Sequence, residues 1–548
     1  MNTADFIIVF TFLGIMFFIG SIFYKWIANT DDFYLAGRHL TPFILAAVIA
    51  ATNINLYSFV GQSGIAYKYG IPIIWQTWTG NMALVFSGLF VIPIFRRLRI
   101  RTIPEFLEIR YSKGVRTLVA FIWIVVLTFW IGVILYTAIT AAQIVTGVHS
   151  FAALALALSL VVIIYTMLGG MWSVTFTDVI QFVLMLGGAL VLLPLAMSAV
   201  GWWPGLTAKL PKESFNLVQQ TGKYNWQFIL AILFLGIQWA STDQGLLQRA
   251  FGAKDTRTVA RSLVLAGIIT TPFALLWNLP GLAARVIFPN LANPDTAVPM
   301  LLVHLVPNIV LGIIVVGLFS SQLSATSGNL NGIATIFASD IYESILNKKA
   351  SQRSLIIVAR LITVLAGIAM IAFAYCVPLL GGAVNAYLTV IAIMNMPLFV
   401  ITIVYGLLWK RANWQGAFAG YFAGLIAGIC AQFVFHVDFN ITTYISGGAA
   451  LVVTPLVSLL TVQTNRENVE KIWKAKRISD EEISSNDIYN IIPKTLRGKL
   501  SLSVFGVGFL IFLVGVILGS KGLEIASVLS VGGMILYFVG GLLRTYTD

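Results

Sequence analysis

The sequence predicts an all-α polytopic membrane protein whose core is a five-plus-five inverted repeat with broken first and sixth core helices. Three observations carry that prediction. Of 548 residues, 59% are hydrophobic and only 10% charged, whereas a soluble domain carries about a quarter charged residues. The apolar residues fall in many stretches of the length that a crossing of hydrocarbon needs, about 20 residues. Two of those stretches carry polar interruptions, Ala51-Thr-Asn-Ile-Asn-Leu-Tyr-Ser58 and Gly236-Ile-Gln-Trp-Ala-Ser-Thr-Asp-Gln244. In hydrocarbon an unpaired backbone group is expensive, so irregular backbone survives only where it lines a cavity or binds something. Broken helices at matching places in two halves mark the binding site of an inverted-repeat transporter.

Fifteen spans are expected, at about 4–26, 42–66, 71–95, 117–146, 151–169, 174–200, 226–247, 260–288, 300–342, 355–376, 379–409, 415–436, 442–462, 501–519 and 525–543. They divide into an N-terminal extra helix with its entry loop (1–41), a first repeat with an outer loop (42–225) and a second repeat (226–409). Two accessory helices (410–463), a cytoplasmic linker (464–500) and two C-terminal helices (501–548) follow. The linker is rich in charge and is expected to build no apolar core and to be dispensable. No cleavable signal peptide is expected, since Asp5 to Trp26 is long enough to span and no small-residue cleavage site follows.

The net charge of +13 does not imply a nucleic-acid partner, because the basic residues concentrate in alternate loops. These are Arg96 to Arg116, Arg249 to Arg261, Lys348 to Arg353, Lys410 with Arg411, and Arg466 to Lys499. The positive-inside rule then puts those loops and the C-terminus in the cytoplasm, with the N-terminus outside an inner (plasma) membrane. Two cysteines, Cys376 and Cys430, lie in apolar runs, against a disulfide framework or a zinc site. The four histidines are scattered without nucleophile–base or metal-ligand spacing, so no enzyme is expected and no obligatory protein partner is evident.

The residues placed to line a cavity between the breaks are Asn55, Tyr57, Ser58, Gln62, Thr77, Trp78, Gln238 and Trp239, with Trp75 and Gln76 beside them. Carboxamides fix hydroxyls and an aromatic plane stacks on C–H edges, which suits a sugar or polyol. For Trp75 and Trp78 an interfacial aromatic belt is the alternative.

Seven motifs in order then resemble the sodium:solute symporter family over about 30–460. They are Asp32-Phe-Tyr-Leu-Ala-Gly-Arg38; Phe59-Val-Gly-Gln-Ser-Gly64; Thr102-Ile-Pro-Glu-Phe-Leu107; Tyr165 to Met171 with Thr177-Asp178; Asp243-Gln244 with Gln248-Arg249; Leu330-Asn331 with Asp340-Ile-Tyr342; and Gly406-Leu-Leu-Trp409-Lys410. The second resembles the sugar-transporting branch in particular. The resemblance implies alternating access and sodium-coupled symport of a small polar solute. A sodium ion would be held by carbonyls of Ala51, Ile54 and Ser321 and the hydroxyl of Ser324, with Asp178 on the ion's exit path. It also implies an inner aromatic gate at Trp239. The family usually has a second hydroxyl next to Ser324, where this chain has Ala325, with Thr326 about 100° further round a helix. The sugar branch's substrate residues are also replaced, by Ser58, Thr77, Gly80, Gly236, Ile268 and Thr389. No Lys or Arg stands at these positions to meet a carboxylate, so a sugar or polyol is favoured over a monocarboxylate or other small anion. A non-transporting sodium/solute sensor is the alternative of another class.

Overall fold

The computed structural model describes residues 2–22, 41–251, 253, 255–462, 466–477 and 489–547; among the helical side chains left out of that description are Thr52, Gln248 and those of 168–179. The first family motif, at 32–38, lies outside the described residues.

Helix α1 (Thr3–Ile22) precedes the core. The first repeat opens with α2 (Pro42–Asn53), whose Pro42 sits in the first turn, where a missing N–H is harmless. After a π-helical turn, Tyr57–Gln62, the chain resumes as α3 (Ser63–Tyr69) and reverses at Gly70, whose φ of 92° an L side chain rarely adopts. Then follow α4 (Ile71–Arg97), the short α5 (Ile103–Arg110), α6 (Lys113–Thr146) and α7 (Phe151–Val200). Beyond the surface helix α8 (Trp202–Lys209), the second repeat comprises α9 (Trp226–Thr242), α10 (Gln244–Phe251), α11 (Thr256–Ile287), α12 (Ala297–Leu305), α13 (Val310–Leu346), α14 (Gln352–Cys376) and α15 (Ala383–Leu408). Helices α16 (Trp414–Val434), α17 (Phe439–Leu460), α18 (Arg466–Ala475), α19 (Leu496–Gly519) and α20 (Ile525–Thr545) complete the chain.

Among the described residues eleven helical segments are long and apolar enough to cross a membrane, and four shorter apolar ones, Thr3–Phe12, Pro42–Ala51, Phe151–Ile164 and Trp226–Thr242, fall on the other expected spans. Two boundaries differ from expectation. Helical backbone is continuous over Phe151–Val200, where the sequence suggested separate spans. Its two ends both pack on α13: Val161 shares a cavity with Phe319, and Gly188 lies against Ile314. The expected span at 300–342 is instead split into α12 and α13 around Ile309, whose φ is 73°. Asp5 of α1 holds that break, accepting hydrogen bonds through Oδ1 from Ile309 N (2.7 Å) and Gly312 N (3.1 Å), the orphan amides of a helix start.

Helix α13 is the hub, with every residue from Ile314 to Ile336 buried. At the periphery, α19 and α20 pair through glycine faces. A Cβ at Gly508, Gly515, Gly533 or Gly540 would run into the partner helix's backbone, the close approach that small residues permit in membranes. At the basic end of the molecule Arg110, buried, donates to the carbonyls of Gly406 (2.8 Å), Ala412 (2.9 Å) and Trp409 (2.7 Å), neutralising the C-terminus of α15.

The linker is not the free segment its composition suggested. Val469 and Ile472 of α18 are buried, and so is Tyr489, whose hydroxyl donates to Leu89 O at 3.1 Å. Arg97 donates to the carbonyls of Ala475 and Tyr489. An amphipathic helix with one apolar face docks where charge counting alone foresaw solvent.

Candidate functional site

Both helix breaks are built the same way. At the first, Ile54 is extended (φ −104°, ψ 117°), and Asn55 Oδ1 then accepts from Tyr57 N at 3.0 Å. At the second, Asp243 is extended (φ −66°, ψ 120°), and its Oδ1 accepts from Leu246 N at 2.9 Å. In each case a short side chain with an oxygen caps the outgoing half-helix. The carbonyls of the incoming half-helix are left without their usual amide partners.

A cavity of about 110 Å³ lies between the two breaks. Of the residues expected there, Asn55, Tyr57, Ser58, Gln62, Gln76, Thr77 and Trp239 line it. Trp78 and Gln238 are placed elsewhere. The Trp78 indole donates to Thr271 O (3.0 Å), and Gln238 Nε2 donates to Thr242 Oγ1 (2.7 Å) one turn along its own helix. Trp75 belongs neither to the cavity nor to an interfacial belt: it is wholly buried, donates to Leu217 O (2.8 Å) and packs on Phe512.

The polar wall has a definite polarity. Gln62 Oε1 accepts from Thr77 Oγ1 (3.0 Å) and Trp277 Nε1 (2.9 Å), which leaves its amide nitrogen as the free donor. Gln76 Nε2 donates to the Tyr57 hydroxyl (2.8 Å), and Gln76 Oε1 is a buried acceptor without a partner. An aromatic wall completes the cavity. The Tyr57 ring meets Trp130 edge-on at 5.2 Å and Tyr387 at 5.3 Å, and Trp130 lies 4.4 Å from Tyr387. Sequence reasoning missed Trp130 and Tyr387, which sit in apolar helices with no local polar signature. It also passed over Asn53, Asn81, Asp243 and Asn329 as lining residues.

For the ion ligands the resemblance implied, Ala51, Ile54, Ser321 and Ser324 are all buried, and α2 packs directly on α13. Ser324 Oγ has no hydrogen-bond partner. Thr326 Oγ1 accepts from Gln322 Nε2 at 3.1 Å, one turn back along the same helix. Asp178 lies on α7, but its side chain is outside the described ones.

Toward the basic end the two repeats are locked together. Asp340 on α13, buried, accepts through Oδ1 from Arg116 Nε (2.7 Å) and Thr102 Oγ1 (2.9 Å). Arg116 also pairs with Glu108 (2.5 Å) and donates to Ser339 O (3.0 Å). Gln244 on α10 bridges to the loop before α5, donating to Arg101 O (3.0 Å) and accepting from Ile103 N (3.2 Å).

Comparison with known proteins agrees with this geometry. The model of the sodium:solute symporter family matches residues 33–424. The chain is 29% identical over 426 residues to a sodium/glucose cotransporter of Vibrio parahaemolyticus, covering 72% of this chain and 77% of that protein. It is 26% identical over 440 residues to sodium/myo-inositol cotransporter 2 of Oryctolagus cuniculus, covering 72% of this chain and 64% of that one. A solved Na+-coupled sialic acid symporter, substrate-bound and outward-open, superposes with a TM-score of 0.77 at 23% identity, over 84% of this chain and 98% of that chain. At that identity the likeness establishes the fold. The match covers both repeats and both breaks: the chain belongs to the sodium:solute symporter family, and is a multi-pass membrane transporter, not an enzyme, that moves a small solute in symport with sodium.

Proposed function

We propose that the solute is a neutral polyhydroxylated molecule, a sugar or polyol, bound between the two breaks. The observation that carries this reading is the cavity's chemistry. Its lining offers a carboxamide donor at Gln62, an acceptor at Gln76, hydroxyls and an aromatic wall, and no Lys, Arg or His among the described lining residues. A monocarboxylate would have no cation to meet there, whereas a ring bearing hydroxyls finds both donors and acceptors. The relatives named for glucose and myo-inositol transport point to the same solute class.

In this reading Ala51, Ile54 and Ser321 carbonyls and the Ser324 hydroxyl hold a sodium ion, and Asp178 assists its release. Trp239 is the inner gate that stacks on the solute, and Asn55, Tyr57, Ser58, Gln62 and Thr77 contact it. The basic end faces the cytoplasm of an inner membrane, with the N-terminus outside. Uptake of labelled sugars and polyols into proteoliposomes, with and without a sodium gradient, tests the solute class. Sodium-driven uptake competed by neutral polyols, and impaired in Trp239→Ala while the protein keeps its melting temperature, is expected. Competition by monocarboxylates alone would overturn the assignment.

A further inference from the structure

Gln62 ends the π-helical turn that follows the first break, and two other helices hold its carboxamide. Thr77 on α4 and Trp277 on α11 both donate to its Oε1, at 3.0 Å and 2.9 Å. An indole N–H can only donate, so the Gln62 atom that faces Trp277 is the oxygen. Turning the amide round would set one donor against another. Nε2 is thereby committed to the other side, where Gln62 lines the cavity. Gln62 and Trp277 are 4% and 1% exposed, so bulk water does not replace the bond between them.

Trp277 is not itself among the residues that line the cavity. Packing sets its place. Its ring meets Phe59 edge-on at 5.3 Å, and one turn further along α11 a Cβ on Gly281 would run into the Ser63 carbonyl. That glycine lets α11 approach α3 closely enough for the indole to reach Gln62.

A solute group opposite Nε2 must therefore accept a hydrogen bond. A hydroxyl or a ring oxygen does so, whereas an ammonium group has three donors and no acceptor. Setting an ammonium there leaves N–H facing N–H in a buried site, with both donors unpaired. We infer that Trp277 is a positioning residue for specificity. By holding Gln62 as a fixed donor, it admits a hydroxyl and excludes an amino substituent at the solute position that faces Gln62. The inference rests on a polyhydroxylated solute lying between the two breaks, and adds the sense in which one of its hydroxyls is read.

The test is competition for uptake by the full chain in proteoliposomes, using a competing neutral polyol and its amino-for-hydroxyl analogues, one position at a time. Wild type should reject the amino group at one position more strongly than at the others. At that position Trp277→Phe frees Gln62 Oε1 to face the solute. It should narrow the preference for hydroxyl over amino about tenfold, as expected when a buried donor is no longer left unpaired. Gln62→Leu should narrow it as well. Adding Trp277→Phe to Gln62→Leu should change it no further, because the indole acts through the carboxamide. Any pull of the cavity's Asp243 carboxylate on an ammonium group is common to all these proteins and cancels in the comparison. Where Trp277→Phe does not fold, replacement of Trp277 by benzothienylalanine keeps the bicyclic ring, lacks the N–H and serves instead. A preference unchanged by both replacements, or lowered equally at every position, would overturn the proposal and leave Trp277 as a packing residue. If no neutral polyol competes, the solute reading falls, and the lock is then read without solute from the Trp277 indole N–H resonance. Gln62→Leu should move that resonance; a resonance that stays in place would reject the lock too.

Discussion

Ser324 differs from its neighbours on α13. Ser320, Ser321, Ser327 and Thr335 return their hydroxyl protons to carbonyls three or four residues earlier, at 2.6–3.0 Å, as hydroxyls in apolar helices commonly do. Ser324 Oγ is as deeply buried and makes no such bond. A buried polar group left unsatisfied costs about 1–3 kcal/mol, a cost that a bound cation would offset. Ser324→Ala is therefore expected to lower apparent sodium affinity about tenfold, or about 1.4 kcal/mol, while the melting temperature without sodium stays level or rises. Ala325→Ser should raise the affinity by supplying the second hydroxyl. Initial uptake rates against sodium concentration, beside melting curves, check both. Equal affinities in all three proteins would remove Ser324 from the ion site. The resemblance located Ser324 and Ala325 in the sequence, but that Oγ lacks a partner is a three-dimensional fact. Asn329 was obscured as a lining residue because α13 carries a polar residue on almost every turn. Trp78 on α4 and Gln238 on α9 show the converse limit, since polar and amphipathic residues adjoin one another on both helices and composition does not say which face meets the cavity.

The existence of nearly every helix was legible in the sequence, because a run of apolar residues has few other uses. Asn55 and Asp243 announce the first two breaks. The break at Ile309 also had a local signal, Pro307-Asn308, which the apolar run on either side outweighed; what the sequence did not show is that Asp5, some three hundred residues away, holds it. The linker was misread for a related reason. A ten-residue helix with two buried apolar side chains looks charged on average, yet its periodicity suffices to dock it. Its contacts fall on the loop and helices of the basic end. Lys410 pairs with Glu470 at 2.9 Å, and Lys476 donates to Leu407 O at 2.6 Å and sits 4.0 Å over the Trp473 ring. The exposed pair contributes little by itself, so the docking rests on Ile472, Val469 and Tyr489. Ile472→Ala is expected to cost about 2–4 kcal/mol of local stability. Tyr489→Phe should cost only the hydrogen bond to Leu89, about 1 kcal/mol. Limited proteolysis of membranes, with uptake measured in parallel, should show earlier cleavage between α18 and α19 and slower uptake in Ile472→Ala. Wild-type cleavage and uptake in that variant would restore the free-linker expectation.

On the scale of the whole molecule, symport by alternating access requires the contact between the two repeats at one end to break in every cycle. At the basic end part of that contact is a polar cluster, to which Arg101 to Ile103 and Arg116 of the first repeat and Gln244 and Asp340 of the second contribute. A cluster of a few hydrogen bonds suits a gate. Its centre is the Arg116–Asp340 pair, with side-chain exposures of 14% and 0%. Removing one partner of a buried pair costs about 3–5 kcal/mol when the other is left as an uncompensated charge. The two ends of this pair differ in that respect. Asp340→Asn leaves Arg116 with Glu108 and the Ser339 carbonyl, so no charge is stranded. Arg116→Ala strands the Asp340 carboxylate with Thr102 as its remaining side-chain donor. Asp340→Asn should therefore fold almost as well as wild type but weaken the lock, shifting the population towards the state open at the basic end. In proteoliposomes this predicts faster solute efflux and lower steady-state accumulation at an unchanged sodium gradient, whereas Arg116→Ala should lose expression and melting temperature first. If Asp340→Asn lost as much stability as Arg116→Ala with efflux unchanged, the pair would be a structural brace between the repeats rather than a gate.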